Sequence, residues 1–483
     1  MSDVSIDKGV VVRFAPSPTG SLHVGGARTA LFNALLHERQ GGRFIFRVED
    51  TDKAREVEGA ASRMLADLKW LGIEFNEGEG IGGDHGPYLQ SERSHFYAEA
   101  IRILVSNGAA YRCFCTPERI TALHEENAKA GRPPRYDRHC RDISHEDFDH
   151  HVSAGEASVI RLSIETDKVT VINDLVKGQI AFAGENLDDP ILVRSDGSPT
   201  GLLAGAIDDH TMGVTRIFRG DEWLPSTPYQ YRIFEGLGGP IPEWGHLSLL
   251  VDENHAKLSK RTAGLSVGEL KAEGILPEAL RRYLAGLGRS TIPADKGWSI
   301  SDLAADFDPT KYRSGEIVYS KSALLTENQK YMRSLKPEDL LERFNEWNVD
   351  NEAFGLIPPA RRPMAMPLAL ETASTLEQCL AELKSISIAP ELSSINREEI
   401  PTGGRVVEKF LNHLNVVEFT ETGIQSALGD TGRDLGIKGK DLYHPIRLAL
   451  SGQTQGPKLA AVMMLIGKEE STHRFEKFMK LFS

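Results

Sequence analysis

Hydrophobic and polar positions change rhythm several times along this chain. The segment VVRFA at 11–15 is β-branched and aromatic, which predicts a strand. Pro16, Pro18 and Gly20 forbid its continuation. Past Gly25 and Gly26, ARTALFNALLHERQ sets Leu31, Phe32, Leu35 and Leu36 on one helical face, and Gly41-Gly42 ends it. RFIFRVED predicts a second strand and EVEGAASRMLADLKWLG a second helix. That alternation implies a parallel sheet with crossover helices. Around Tyr111 the texture changes. A helix lies between a CxC pair and a later cysteine, and IRLSI, VTVINDLV and QIAFAG read as strands of an insertion. The main sheet resumes at DDPILVRSDGSPTG. It runs on through AGAIDDHTMGVTRIFRGDEW, a helix at TPYQYRIFEGLG, and GHLSLLVDE. From about Leu325 strand patterns give way to helices: PEDLLERFNEW, one long segment ARRPMAMPLALETASTLEQCLAEL, GRVVEKFLNHL and KLAAVMMLIG.

Composition narrows the class. A chain of 483 residues implies three or more structural units with ample cores. With 26% charged residues and a mean hydropathy of −0.30 it reads as a soluble globular protein. No apolar run approaches membrane-spanning length, and MSDVSIDKG lacks an apolar signal core. Four cysteines in so long a chain make no disulfide framework, so a cytoplasmic setting is expected. The net charge of −13 argues against a protein that coats nucleic acid non-specifically. Selective RNA contact remains open through Arg132, Arg135, Arg138 and Arg141, four arginines in one short loop.

Two segments carry candidate chemistry. A strand-loop-helix unit aims backbone N–H groups and the positive helix end at an anion. Glycines at its mouth let a flat base or a phosphate reach the backbone, and His23 can donate to phosphate oxygens. The second segment is the basic loop Lys257-Leu258-Ser259-Lys260-Arg261, which follows a strand-and-turn pattern. Alone, the first is an ordinary β-α turn with a packing histidine and the second a solvated charge run. Each gains weight from the other.

Together they resemble the HIGH and KMSKS elements of the class I aminoacyl-tRNA synthetases. Many further strings, in one order, are similar to bacterial glutamyl-tRNA synthetases: FAPSPTGSLHVGGARTALFNAL, GRFIFRVEDTD, GPYLQSER, CFCTPE, PPRYD, LVRSDGSPT, DDHTMGVT, RGDEWL, STP, KLSKR and IKGKDLYHPIRLALSGQTQGP. The resemblance implies an α/β fold: a Rossmann-like class I catalytic domain carrying an inserted α/β domain, followed by all-α anticodon-binding domains. The implied division is 1–90 and 199–240 for the two catalytic halves and 91–198 for the acceptor-binding insertion. A stem-contact region with the lysine loop follows at 241–325, and anticodon-binding domains at 326–400 and 401–483.

The resemblance also implies the activity. ATP, accompanied by magnesium, and glutamate give glutamyl-adenylate, and the glutamyl group then passes to the 3′ end of glutamate tRNA. A monomer that activates glutamate only with tRNA bound is implied. His23, Lys257 and Lys260 carry catalysis. Arg13, Ser17, Glu49, Gly201 and Arg219 fall at amino-acid-binding positions. Glu49 would take the ammonium, and Arg13 and Arg219 the carboxylates. His23, Gly25, Gly26, Glu222, Trp223, Lys257, Ser259 and Lys260 would face ATP, with Trp223 equally readable as a core aromatic.

The sequence departs from the family at three places. Where the family string reads PTYNF, this chain has Pro199-Thr200-Gly201-Leu202-Leu203, so Gly201 replaces a pocket tyrosine. Cys113, Cys115 and Cys140 match three zinc ligands of part of the family, but Asp142 stands where the fourth, a histidine, is expected. A Cys₃Asp zinc site, the adjacent His139 as ligand, and a decayed site all remain open. Thr372 falls at the place of an arginine on a family helix that helps reject the glutamine anticodon. This leaves three alternatives standing: an enzyme that also charges glutamine tRNA, a paralogue with a changed pocket, and a tRNA-binding paralogue without charging activity. A truncated relative that modifies queuosine in tRNA lacks the helical region, so the residues beyond Leu325 argue against it.

Overall fold

The computed structural model describes residues 9–52, 55–258, 265–289, 296–348, 354–355, 357–392, 395 and 400–482. It divides into two compact units, one made of 1–268 and 281–320, the other of 269–280 and 321–483.

The first unit opens with β1 (Val10–Phe14), α1 (Val24–Gln40), β2 (Gly42–Phe46), α2 (Ala60–Trp70) and β3 (Glu77–Gly78). β1 pairs in parallel with β2, and β2 with β3, as the strand-helix alternation predicts. All five residues of β1 are buried, so both faces of the sheet are covered. The α1–β2 junction is tight. Gly42 adopts φ 101° against Val10, where a Cβ would strike backbone.

The insertion follows: α3 (Ser94–Ser106), β4 (Ala110–Cys113), α4 (Pro117–Lys129), α5 (His145–Ser153), β5 (Val159–Leu162), β6 (Val169–Asp174), β7 (Gly178–Ala183) and β8 (Ile191–Val193). β4, β5 and β8 form an antiparallel sheet, and β6 and β7 a hairpin. Burial along β6 alternates strictly, the period-two signature of a strand with one solvated face.

Then come α6 (Gly201–Thr211), β9 (Arg216–Gly220), α7 (Thr227–Leu237), β10 (Glu243–Leu247) and β11 (Leu250–Val251). β9 and β10 are parallel. Thr215 joins this half to the first: its N–H donates to the Val11 carbonyl at 2.9 Å and its hydroxyl oxygen accepts from the Val11 N–H at 2.9 Å. Phe32 of α1 packs edge-on to Phe218 of β9 and to Phe307, with ring centroids 6.4 and 5.2 Å apart.

Onward run α8 (Val267–Ala272), α9 (Pro277–Gly286), α10 (Ile300–Ala305) and β12 (Ile317–Val318). β12 pairs in parallel with β11. The second unit is helical: α11 (Lys321–Ser334), α12 (Pro337–Trp347), α13 (Arg362–Ala369), α14 (Leu376–Ser387), α15 (Gly403–Val416), α16 (Glu421–Leu435), α17 (Lys440–Ser451), α18 (Leu459–Ile466) and α19 (Lys468–Met479). The single helix expected over 360–383 is two. The Thr375 hydroxyl accepts from the Gln378 N–H at 3.2 Å, and the Gln378 side chain accepts from the Ser374 N–H at 2.7 Å. These reciprocal bonds start a new helix and break the old one. Thr372 therefore lies in the turn between α13 and α14, not on a helix.

Candidate active site

The ends of β1 and β9, the loop after β1, the mouth of α1, and the start of α6 surround an open cavity of roughly 730 Å³ within the first unit. Arg13, Ser17, His23, Gly25, Gly26, Glu49, Gly201, Arg219, Glu222, Trp223 and Lys257 all line it. Ser259 and Lys260 lie outside the described residues. The segments flanking them do not: Leu258 lines the cavity, and the Leu265 carbonyl accepts from the Val24 N–H at 3.0 Å in the first turn of α1. The Leu258 N–H donates to the Leu250 carbonyl at 3.3 Å, and Ser266 bridges to His23.

His23 caps α1. Its Nδ1 accepts from the Gly25 N–H at 3.2 Å, which leaves the ring proton on Nε2. The imidazole therefore satisfies one helix-terminal donor and carries its own N–H on Nε2. Gly25 has no side chain above this cap, and a Cβ there would touch only the His23 ring, at 3.5 Å.

The end of the cavity around Arg13 and Glu49 rests on buried charge that sequence reasoning missed. Asp208 and Asp209 are adjacent on α6, at 0% and 1% exposure. Asp209 accepts from Arg13 Nε at 3.0 Å and from Arg47 Nη1 at 2.8 Å. Asp208 accepts from Arg93 Nε at 2.6 Å, from Gln90 at 2.8 Å and from the Tyr97 hydroxyl. Arg47 reaches on to Glu49 Oε1 at 3.2 Å. One continuous lattice thus fixes Arg13 and Glu49 together. Burial opposes ionisation of Asp209, but the Arg13 and Arg47 charges outweigh it and hold the carboxyl below the usual carboxylate range. At Glu49 burial dominates and pushes the carboxyl up against the pull of Arg47 and Arg13. The sequence signal was two neighbouring acids inside the otherwise apolar GLLAGAIDDHT. Buried carboxylates demand cationic partners.

Arg219 is 8% exposed, and burial lowers it to about 9, which leaves it charged at neutral pH. Gly201 opens α6, and a Cβ there would meet nothing within 4 Å. Gly205, one turn on, also lines the cavity, and its added Cβ would touch Gln230 Nε2 at 3.7 Å and Glu49 Oε1 at 3.8 Å. The helix therefore shows the pocket two bare turns. Trp223 is 49% exposed, so the core-aromatic reading does not hold.

The cysteine cluster lies apart, in the insertion. The Sγ atoms of Cys113, Cys115 and Cys140 all lie within 4.8 Å of one another, and Cys115 to Cys140 is 3.5 Å. A tetrahedral zinc with Zn–S bonds near 2.3 Å sets sulfurs roughly 3.8 Å apart, so the three thiols fit such a metal. Asp142 does not join the group, which corrects the expected ligand set. Two polar groups lie beside the sulfurs: Arg119 Nη1, which donates to Cys115 Sγ at 3.4 Å, and the Tyr136 hydroxyl, 3.3 Å from Cys113 and 3.4 Å from Cys115, which also accepts from the Cys140 N–H at 2.9 Å.

Part of the four-arginine loop is anchored from within. Asp189 is fully buried and draws in Arg138 (Nε at 3.3 Å) and Arg141 (Nη2 at 2.6 Å). Arg135 donates to the Glu185 carbonyl at 2.6 Å. A buried carboxylate without neutralising charge is costly, and this one pairs with two of the four cations, whose side chains stay partly exposed.

No helix among the described residues is long and apolar enough to cross a membrane. A family model described as tRNA synthetases class I (E and Q), catalytic domain, matches residues 9–319, and an anticodon binding domain matches 324–479. A glutamate–tRNA ligase of Desulforudis audaxviator is 36% identical, with 97% of this chain and 96% of that protein aligned. One of Bacillus subtilis is 35% identical over 97% and 99%. The crystal structure of a glutamate tRNA ligase from Elizabethkingia meningosepticum, in complex with its amino acid, superposes with a TM-score of 0.84 at 30% identity and covers 98% of this chain and all of that one. With a catalytic-domain match over more than half its length and full-length relatives above 30% identity, the chain belongs to the class I tRNA synthetases of the E and Q group.

Proposed function

We propose that the chain is an ATP-dependent glutamate–tRNA ligase. The observation that carries this reading is one cavity bordered by a capped helix mouth, two buried arginines, a carboxylate and the lysine-loop base. Glu49 takes the glutamate ammonium, and Arg13 and Arg219 take its carboxylates. Ser17 lines the same end, and Glu222 and Trp223 face ATP beside it. The α-carboxylate attacks the α-phosphate of ATP, a P–O bond to pyrophosphate breaks, and glutamyl-adenylate forms. His23 donates from Nε2 to phosphate oxygens as charge builds, and Gly25 and Gly26 let the nucleotide approach the helix mouth. Lys257, Ser259 and Lys260 meet the departing phosphates. The terminal ribose hydroxyl of tRNA then attacks the acyl carbon and AMP leaves. Magnesium accompanies ATP, and the enzyme works as a cytoplasmic monomer.

The six-part division given by the sequence belongs to this proposal. The anticodon-domain match over 324–479 supports tRNA contact by the second unit. The test is pyrophosphate release with ATP, bulk tRNA and each of the twenty amino acids in turn. Glutamate is expected to drive release; preference for another amino acid would overturn the reading.

The bare start of α6 makes a separate prediction. A tyrosine offers roughly 150–250 Å² of contact surface and a hydroxyl, and its Cβ at position 201 would meet nothing within 4 Å. Gly201→Tyr should lower the KM for glutamate, or restore rejection of a bulkier glutamate analogue that the wild type accepts. If the substitution only inactivates an enzyme that already binds glutamate tightly and selectively, the open wall has no role in specificity.

Zinc belongs to the same proposal, as a structural metal held by Cys113, Cys115 and Cys140, with the Tyr136 hydroxyl as the neighbouring oxygen. A Cys140 thiol donating toward Cys113, together with Tyr136 and Arg161, favours thiolate at Cys113, the form a metal needs. Protein purified without chelators should carry about one zinc per chain, and Cys115→Ser should lose it and loosen the insertion. Finding no zinc would leave a thiol-tyrosine hydrogen-bond cluster instead.

A further inference from the structure

Arg219 is held by three side chains from outside its own string RGDEWL. Its Nε donates to His246 Nε2 at 3.1 Å, Nη1 to Gln230 Oε1 at 2.6 Å, and Nη2 to the Thr227 hydroxyl at 2.8 Å. His246 sits on β10, and its side chain is fully buried. Because its Nε2 accepts, its proton lies on Nδ1, which donates to Asp174 Oδ2 at 2.6 Å.

Asp174 ends β6 in the insertion, and its side chain is also fully buried. It further accepts from the backbone N–H groups of Val176 at 2.9 Å, Lys177 at 2.8 Å and His246 at 3.1 Å. The next residue, Leu175, donates to the Trp244 carbonyl at 2.8 Å, and Lys177 Nζ pairs with Asp221 at 2.6 Å. The β6–β7 turn is therefore tied to β10 through Asp174 and Leu175, and to Asp221 through Lys177.

We propose that Asp174 and His246 are positioning residues for Arg219, a carboxylate-to-imidazole relay that keeps His246 an acceptor and so aims the guanidinium at the substrate carboxylate. This rests on the reading of the cavity as the glutamate site. Among the described residues, three partners at 3.1 Å or less occupy one N–H on each nitrogen of Arg219. One N–H remains on each terminal nitrogen, the pair that a bidentate carboxylate needs. The Trp223 carbonyl, at 3.4 Å, is the weak competitor for one of them.

Losing the imidazole acceptor removes the only anchor on Nε and leaves the fork held by Gln230 and Thr227 among the described residues. A protonated His246 would lose that acceptor and set a second cation against Arg219, and the tautomer with its proton on Nε2 would turn a donor toward it. Asp174 excludes the second of these by holding the Nδ1 proton. Burial, partly countered by Asp174, lowers the tendency of His246 to protonate.

The test uses the full chain in aminoacylation, with KM measured separately for glutamate and ATP. His246→Leu should raise the glutamate KM at least about tenfold, the scale of one charge-assisted hydrogen bond, with the ATP KM within about twofold. His246→Gln should restore most of that loss, because its amide oxygen can accept from Arg219 where Nε2 does and its amide N–H can face Asp174. Asp174→Asn should raise the glutamate KM by an intermediate factor. Equal rises in both KM values, or a Gln variant as poor as Leu, would reduce His246 to a packing residue and overturn the relay. If His246→Leu does not fold, the Gln and Asn variants decide by the same split. A wild type that never uses glutamate sinks the cavity reading instead, a distinct outcome.

Discussion

Asp209→Ala should destabilise the first unit by about 3–5 kcal/mol, the cost of stripping one partner from a buried ion pair. The reason is charge left behind. Arg13 and Arg47 both donate to the Asp209 carboxylate, and Arg47 is fully buried. Removing Asp209 leaves Arg47 only Glu49 at 3.2 Å and Asp208 at 3.7 Å. Asp209→Asn keeps the volume and an acceptor and should lose less. Urea unfolding followed by a probe in the first unit gives the measurement, and a loss under 1 kcal/mol would mean that the lattice tolerates an unpaired arginine. The pH dependence has a definite sign. The folded carboxyl is held below its usual range, so its contribution is fully present above the unfolded carboxylate pKa. It fades only as pH falls through the lower folded value. Neutral-pH stability should therefore be insensitive to this group's titration, and acid unfolding of wild type should be steeper than that of Asp209→Asn.

Lys260→Ala is expected to cut ATP-dependent charging by at least ~10²-fold, the scale of one preorganised transition-state contact. The tethering of Leu258 and Leu265 on either side of the loop to the cavity and to α1 gives a reason for the large effect. tRNA affinity should hardly change, because the contact is with departing phosphates. Near-normal charging by this variant would remove the loop from the mechanism.

The parts of this site legible in the sequence are those encoded locally. Pro16, Pro18 and Gly20 stop a strand, and Leu31, Phe32, Leu35 and Leu36 repeat at helical spacing, so β1, its loop and α1 could be drawn before any coordinates. What stayed hidden depends on partners far along the chain. Asp209 meets Arg13 from 196 residues away, and Asp174 meets His246 across 72. No periodicity announces such pairs; only the oddity of two acids inside an apolar helix hinted at the first. Two cations of the arginine loop likewise answer to a distant acid, Asp189, 48 and 51 residues on. The break before α14 was legible, because Thr375 and Gln378 stand at capping-box spacing, but the apolar periodicity on either side masked it.

The proposed activity is tested most directly by aminoacylation of purified glutamate and glutamine tRNAs with labelled glutamate, with and without ATP and magnesium. The account predicts ATP-dependent label on glutamate tRNA, with AMP and pyrophosphate released in equal amounts. Glutamine tRNA serves as the comparison that reports how strictly the anticodon is read. No label on either tRNA, from folded enzyme with ATP present, would contradict the account.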